Sequence, residues 1–383
     1  MPQKIDLTAV LADLGPRFAE RAAAHDAGDS FVAENYQALR KAKVFTALIP
    51  QEIGGGGAGH AEICAFLRGL AGYCPSTALA LAMHQHLVAA AVANDRAGRP
   101  GRKLLDKVAA EDAILVSTGA ADWLESNGTV ERAEGGYRVT AVKPFASGSP
   151  LGDLLITSAV CDDSQEGPQV LHFPVSLKAE GVSFLDDWQT MTMRGTGSQS
   201  VKLDKVFVPE AAVALKRPQG PFHPAFAVIV TVAMPIIMSV YLGVAEAAAG
   251  IARQRAGARG DDPVAPFLVG ELENLLATAE IAVDDMVRLA NGFDFVPSPQ
   301  LASKVLVRKT IAANAVIATA EKALETAGGS GLYRKLGLER LLRDAHGAQF
   351  HPLPEKRQQL FTGRVALGLE PVAAKPEAKR RAA

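Results

Sequence analysis

A mostly helical α+β fold is predicted, with a small sheet set between two helical regions, and three observations predict it. Apolar residues recur at helical spacing through residues 1 to 112. Near Ala113 the composition turns to short β-rich runs parted by Gly, Pro and Asp, and these continue to about 222. From 223 to about 370 the helical period returns in several long segments, which fits a bundle. The expected organisation is an N-terminal helical domain (1–112), a middle β-barrel or sheet domain (113–222), a C-terminal four-helix bundle (223–370) and a disordered basic tail (371–383).

In chain order, Leu7, Val10, Leu11 and Leu14 mark a first helix. Tyr36, Leu39, Val44 and Phe45 mark a second, and Ile63, Phe66, Leu67 and Leu70 a third. Gly54 to Gly57 is too permissive for a helix and reads as a flexible connection; without a preceding strand or a following Lys-Ser/Thr it is no phosphate cradle. Pro75-Ser76-Thr77 starts the next helix, with Ser76 as N-cap. The runs AILVSTGA, GTVERAEGGYRVTAVKPFASGS, GDLLITSAVC and QVLHFPVS are strands and turns. Val201, Leu203, Val206 and Val208 alternate with polar residues, with one slip at Asp204-Lys205, and read as the last strand, ended by Pro209. Beyond Phe226 an almost uncharged run is long enough to span a bilayer. Pro235 and small residues inside it, with no second candidate span, favour a central core helix.

Lys plus Arg number 40 and Asp plus Glu 41, a net charge of −1, which argues against nucleic-acid or polyanion binding. The tail's Lys375, Lys379, Arg380 and Arg381 read as a solvated terminus. Cys64, Cys74 and Cys161 form no metal or disulfide pattern and read as reduced core residues of a cytoplasmic protein. The N-terminus, with Asp6, Asp13 and Glu20, lacks an apolar signal core.

The stretches GYRVTAVKPFASGSPLGDLLITSA, MRGTGSQSVKLDKVFVPE and ETAGGSGLYRKLGLERLLRDA, in this order between helical borders, resemble the acyl-CoA dehydrogenase superfamily of flavoproteins over residues 5 to 369. The resemblance implies a flavin, FAD or, in a monooxygenase, FMN, between the β domain and the rear bundle. It places Ser117 and Thr118 of Leu115-Val116-Ser117-Thr118-Gly119 at the ring edge, where hydrogen-bond donors stabilise the reduced ring. It also places Phe145 over the ring, with Ser147 donating from the same strand face. Gly328 and Gly329 match the family's Gly-Gly-x-Gly turn, which holds the pyrophosphate or adenosine half of FAD from a neighbouring subunit. Arg255 lies in Arg253-Gln254-Arg255-Ala256-Gly257, which lacks the Phe of the family's Arg-x-x-Phe-Gly. Trp123-Leu124-Glu125 replaces the usual Gly-Ser-Asp, and Arg194 reads as a structural arginine in its turn.

Dehydrogenation of an acyl thioester needs a desolvated carboxylate to take the α-proton while the β-hydrogen leaves as hydride to flavin N5. The family's loop position for that acid falls at His351 or Pro352, and its alternative near Ala233 and Met234 carries no acid. Glu355 is the nearest carboxylate, beside Lys356 and Arg357. His351 is a candidate base or hydrogen-bonding group, as in flavin monooxygenases of this fold, and His84 or His86 can join it, since i and i+2 on a helix face different ways. The first expectation is therefore a cytoplasmic, homotetrameric or homodimeric dehydrogenase of an acyl-CoA-like small molecule, reoxidised by an electron-transferring flavoprotein. The alternative is a monooxygenase fed reduced flavin by a separate reductase, and a third is a family member that has lost its chemistry. No membrane or nucleic-acid partner is expected.

Overall fold

The computed structural model describes residues 4–119, 121–162 and 167–372, so the basic tail from Ala373 lies outside the described residues. Five helices open the chain: α1 Leu7–Ala27, α2 Ala33–Lys41, α3 His60–Tyr73, α4 Pro75–Arg96 and α5 Arg102–Glu111. Asp6 caps α1, its carboxylate accepting from the amides of Thr8 and Ala9, both at 3.0 Å. α4 is capped by Cys74 with Pro75 at its first position, so Ser76 is not the cap; its hydroxyl accepts instead from the Gly195 amide at 3.2 Å. The Gly54–Gly57 loop is packed tightly and is no flexible connection: a side chain on Gly55 would meet the Ile49 carbonyl at 2.1 Å.

Among the described residues the middle of the chain forms one sheet of eight strands: β1 Leu115–Ser117, β2 Thr129–Ala133, β3 Gly136–Lys143, β4 Leu154–Cys161, β5 Gln169–Ser176, β6 Val182–Phe184, β7 Val201–Pro209 and β8 Leu215–Pro218. Its order is β6-β7-β3-β2-β4-β5-β8, with β1 parallel to β4, and a short helix, α6 Ala121–Leu124, follows β1. β7 is not the last strand, because Leu215–Pro218 pairs with β5 at the far edge. The slip at Asp204-Lys205 is a bulge: those two residues oppose Thr140 alone, and Lys205 has φ 52°. Val201, Leu203, Val206 and Val208 thereby stay on the buried face.

The rear helices are α7 Pro224–Gly257, α8 Ala265–Ala290, α9 Pro299–Ala327, α10 Leu338–Ala345 and α11 Glu355–Ala366. α7 is apolar on all sides because α3, α4, α8 and α9 surround it. A side chain at Gly243 would meet the Arg68 carbonyl at 2.0 Å, which shows how closely α3 and α7 approach. α4 matches α7 as a helix long and apolar enough to cross a membrane, contrary to the single candidate expected; 94% of each apolar window is buried inside the protein. Cys64, Cys74 and Cys161 are free and buried.

Candidate active site

Between β1, residues 144–147 and 188–198 on one side and α4 and α7 on the other lies a cavity of about 560 Å³. α7 turns Phe226, Ile229, Ala233, Ile237 and Tyr241 toward it, a stripe at three- and four-residue spacing. α4 contributes Leu79, Met83 and His86 by the same rule. His84, about 200° around the helix from His86, faces the other way.

That rotation decides which imidazole belongs to the site. The Leu115 amide donates to His84 Nδ1 at 2.9 Å, so the proton sits on Nε2 and is given to the Phe45 carbonyl at 2.8 Å. Burial pushes its pKa down to about 4. His84, expected as a catalytic candidate, is therefore a fully used tie between β1 and the turn at Phe45. His86 lines the cavity, and its Nδ1 has no partner among the described residues. Burial, then the neighbouring His351 and His84, push its pKa down to about 3.

His351 reaches the same cavity from the loop before α11, its ring 5.7 Å from that of Tyr241. Burial and the nearby Lys309 cation hold it neutral, at about 4. The Tyr241 hydroxyl is buried without a partner among the described residues, and burial raises its pKa well above the usual phenol range. Glu355 does not line the cavity. As the first residue of α11 it takes bonds from Lys356 at 3.1 Å, Gln359 at 2.9 Å and Asn314 at 3.4 Å, and the first of these leads in lowering its pKa. A solvated carboxylate held this way is no base, and no Asp or Glu is among the described residues that line the cavity.

Ser117, Thr118, Phe145 and Ser147 are brought together at the opposite wall. Phe145 is not on a strand: β3 ends at Lys143, and Phe145 has φ 61°, stands 61% exposed and meets Trp188 edge-on at 6.2 Å. Two expected donors are also corrected. Thr118 gives its hydroxyl proton to Asp122 at 2.5 Å. Thr196 gives its proton to the Met193 carbonyl at 2.9 Å, so Ser198 must donate to Thr196 at 2.6 Å and Ser147 to Ser198 at 2.7 Å. Thr118 and Ser147 thus offer lone pairs to the cavity, and their hydroxyl protons are already committed.

Behind this wall Asp122 also accepts from Thr157 at 2.7 Å and from Lys143 at 2.7 Å, where the ammonium is buried. Arg217 donates to the Asp122 carbonyl at 3.2 Å and to His172 at 3.0 Å, and His172 backs the cavity-lining Trp123 with ring centres 5.0 Å apart. Glu125 accepts from Arg357 at 3.0 Å across the cavity mouth. Arg255 donates to Ser330 at 3.1 Å beside Gly328 and Gly329, away from the cavity, so the expected cofactor residues occupy two separate regions of the chain. Arg194 donates to the Thr190 carbonyl at 2.9 Å and serves its turn. Tyr241, Thr196 and Ser198 were not singled out from the sequence; the stripe from Phe226 could have led to Tyr241, whereas no periodicity marks the other two.

The family description "Acyl-CoA dehydrogenase, N-terminal domain" matches residues 13–111, and "Acyl-CoA dehydrogenase, C-terminal domain" matches residues 236–355. YdbM of Bacillus subtilis, an acyl-CoA dehydrogenase by name, is 26% identical over 88% of this chain and 91% of its own. Dibenzothiophene monooxygenase of Rhodococcus erythropolis is 26% identical over 90% of this chain and 89% of its own. KijD3, solved in complex with FMN and dTDP-3-amino-2,3,6-trideoxy-4-keto-3-methyl-D-glucose, superposes with a TM-score of 0.85 at 26% identity, over 95% of this chain and 93% of that one.

Proposed function

We propose, from the premise that this chain belongs to the acyl-CoA dehydrogenase family, that it is a flavin-dependent monooxygenase acting on a small, neutral, largely apolar molecule. It is an enzyme of that family's fold, and the dehydrogenase expectation yields to the alternative on one observation. The loop position where a dehydrogenase would carry its acid falls at His351 or Pro352, neither of them an acid, and the described cavity lining offers no carboxylate to take an α-proton.

The residues present suit a flavin: two buried polar atoms without a partner among the described residues, His86 Nδ1 and the Tyr241 hydroxyl, belong to residues that line a largely apolar cavity, where a ligand would complete them. Thr118 and Ser147 offer acceptors to a ring N–H, and Phe145 and Trp188 flank the mouth. When bound and reduced, the flavin would supply the two electrons that activate O2, so that one oxygen atom enters the substrate and the other leaves as water. His351 and His86, neutral near pH 7, each hold a proton on one nitrogen and a lone pair on the other, so each can donate or accept a hydrogen bond, or relay a proton by releasing one as the other arrives, and stay uncharged in the largely apolar site. The apolar stripe of α7 orients an uncharged substrate and excludes water. FMN is favoured over FAD because Ala256 stands where the family's aromatic residue would be, and KijD3 was solved with FMN. A flavin reductase is the partner this reading requires.

The test supplies FMN, a reductase with NADH, 18O2 and dibenzothiophene as a probe. One 18O atom in the product supports oxygenation; reduction of bound flavin by an acyl-CoA under anaerobic conditions returns the dehydrogenase reading.

A further inference from the structure

Lys309 sits at a core position of its helix. Ala302, Val305, Leu306, Ala312, Ala313 and Val316 share its face of α9, all buried, and Lys309 itself is 1% exposed. A buried ammonium is costly unless its donors are used. No carboxylate lies within ion-pair distance of it among the described residues; its partners are two carbonyls, Gln349 at 3.0 Å and Leu353 at 3.4 Å. Those two residues bracket His351. Leu353 moreover has φ 64°, a left-handed conformation that leucine rarely adopts and that needs outside support.

We propose that Lys309 is a positioning residue for His351, pinning both ends of the 349–353 loop and excluding a second positive charge from the imidazole. The inference rests on the reading of His351 as a working group of the cavity. The groups facing that imidazole are Tyr241 from α7, His86 from α4 and Lys309 from α9. Burial lowers Lys309 to about 8, with the negative charge of Glu355 opposing, so the ammonium is present at neutral pH. It acts on His351 in the same direction as burial does.

Three variants separate the two roles in the flavin-free protein. Amide hydrogen exchange is read on residues 349–353, and the His351 ring titration by NMR. Lys309→Met removes donors and charge: loop protection falls and the His351 pKa rises. Lys309→Gln keeps a donor but no charge, so protection is partly retained while the pKa still rises. Lys309→Arg restores both readouts. A folded Lys309→Met variant with unchanged protection and titration overturns the proposal, as does a Lys309→Gln variant that titrates like the parent. If Lys309→Met does not fold, the Gln and Arg pair still decides the charge effect. Should His351→Ala keep full turnover while these shifts occur, the functional reading fails and the positioning role stands.

Discussion

Two polar regions lie on either side of the wall formed by Thr118 and Trp123, and they are built on opposite terms. Behind it, Lys143, Asp122, Thr157, Arg217 and His172 form a buried knot in which the two cations and the carboxylate are all hydrogen-bonded. In front of it, His86, Tyr241 and His351 stand in a largely apolar cavity, and two of the three keep an atom with no partner among the described residues. Buried polar groups left unpaired are expensive, and a fold tolerates them where a ligand completes them. The contrast therefore divides scaffold from candidate site: the saturated knot holds Thr118 and Trp123 in place, and the unsaturated floor is where the proposed chemistry is assigned.

The largest expected effect falls on the floor. His351→Ala lowers turnover by about 10²- to 10⁴-fold, the range for loss of a positioned proton-handling group, while leaving the urea midpoint near its parent value. Undiminished product formation in a folded His351→Ala protein would remove the imidazole from the mechanism and with it half of the contrast.

Next comes the knot. Asp122→Ala leaves Lys143 buried without its carboxylate and strips Thr118 and Thr157 of their acceptor; a loss of ~3–5 kcal/mol is expected from denaturant unfolding. A loss below ~1 kcal/mol would mean that water or Asn127, which also accepts from Lys143 at 2.5 Å, replaces the carboxylate.

The acid response cuts across the two regions and so sharpens the division. His84 and His351 are held near 4, and His86 and His172 near 3, chiefly by burial. Each is neutral in the fold and binds a proton once unfolded, so its stabilisation is present above pH 6.5 and is lost as the pH falls through the folded value. The slope is ~1.4 kcal/mol per pH unit for each imidazole, ~3 kcal/mol over the window for the two held near 4 and ~5 kcal/mol for the two held near 3. Asp344, raised to about 6 by burial, runs the other way between 3.8 and 6 and offsets one of them. Urea unfolding at pH 7, 6 and 5 should show His172→Gln and His351→Gln flattening the acid slope equally, by about one proton, although only the second slows turnover. Unequal slopes would show that the two burials differ in kind.

The division also explains what was readable beforehand. Periodicity marks elements, so the helices, the sheet and even the slip at Asp204-Lys205 were legible, the last as an extra residue that keeps four valines and leucines inward. Phe145 and Ser147 were legible as neighbours of the cavity through the family pattern, but the turn that carries them was not, since Lys143-Pro144 ends the strand before Phe145. His84 and His86 stand two residues apart in a helix that is buried from Thr77 to Ala93, and only the three-dimensional position of α7 decides which of them meets the cavity. Asp122 and Lys143 lie 21 residues apart with no motif between them, and the spacing of α9 puts Lys309 on the same helical face as Val305 and Val316 without naming the carbonyls it meets. Long-range pairing of polar groups leaves no local signature, so the knot and the pin under His351 emerge only from the fold.

The smallest effect tests the floor most cleanly. The Tyr241 hydroxyl has no partner among the described residues, so Tyr241→Phe should change stability by less than ~0.5 kcal/mol, where deletion of a bonded hydroxyl would cost ~1 kcal/mol. If the hydroxyl awaits a ligand, the same variant weakens FMN or substrate binding by roughly five- to tenfold, the worth of one hydrogen bond, measured by fluorescence titration. A stability loss above ~1 kcal/mol with unchanged binding would place a partner for the phenol inside the chain, and the Tyr241 end of the cavity would then belong with the knot rather than with the site.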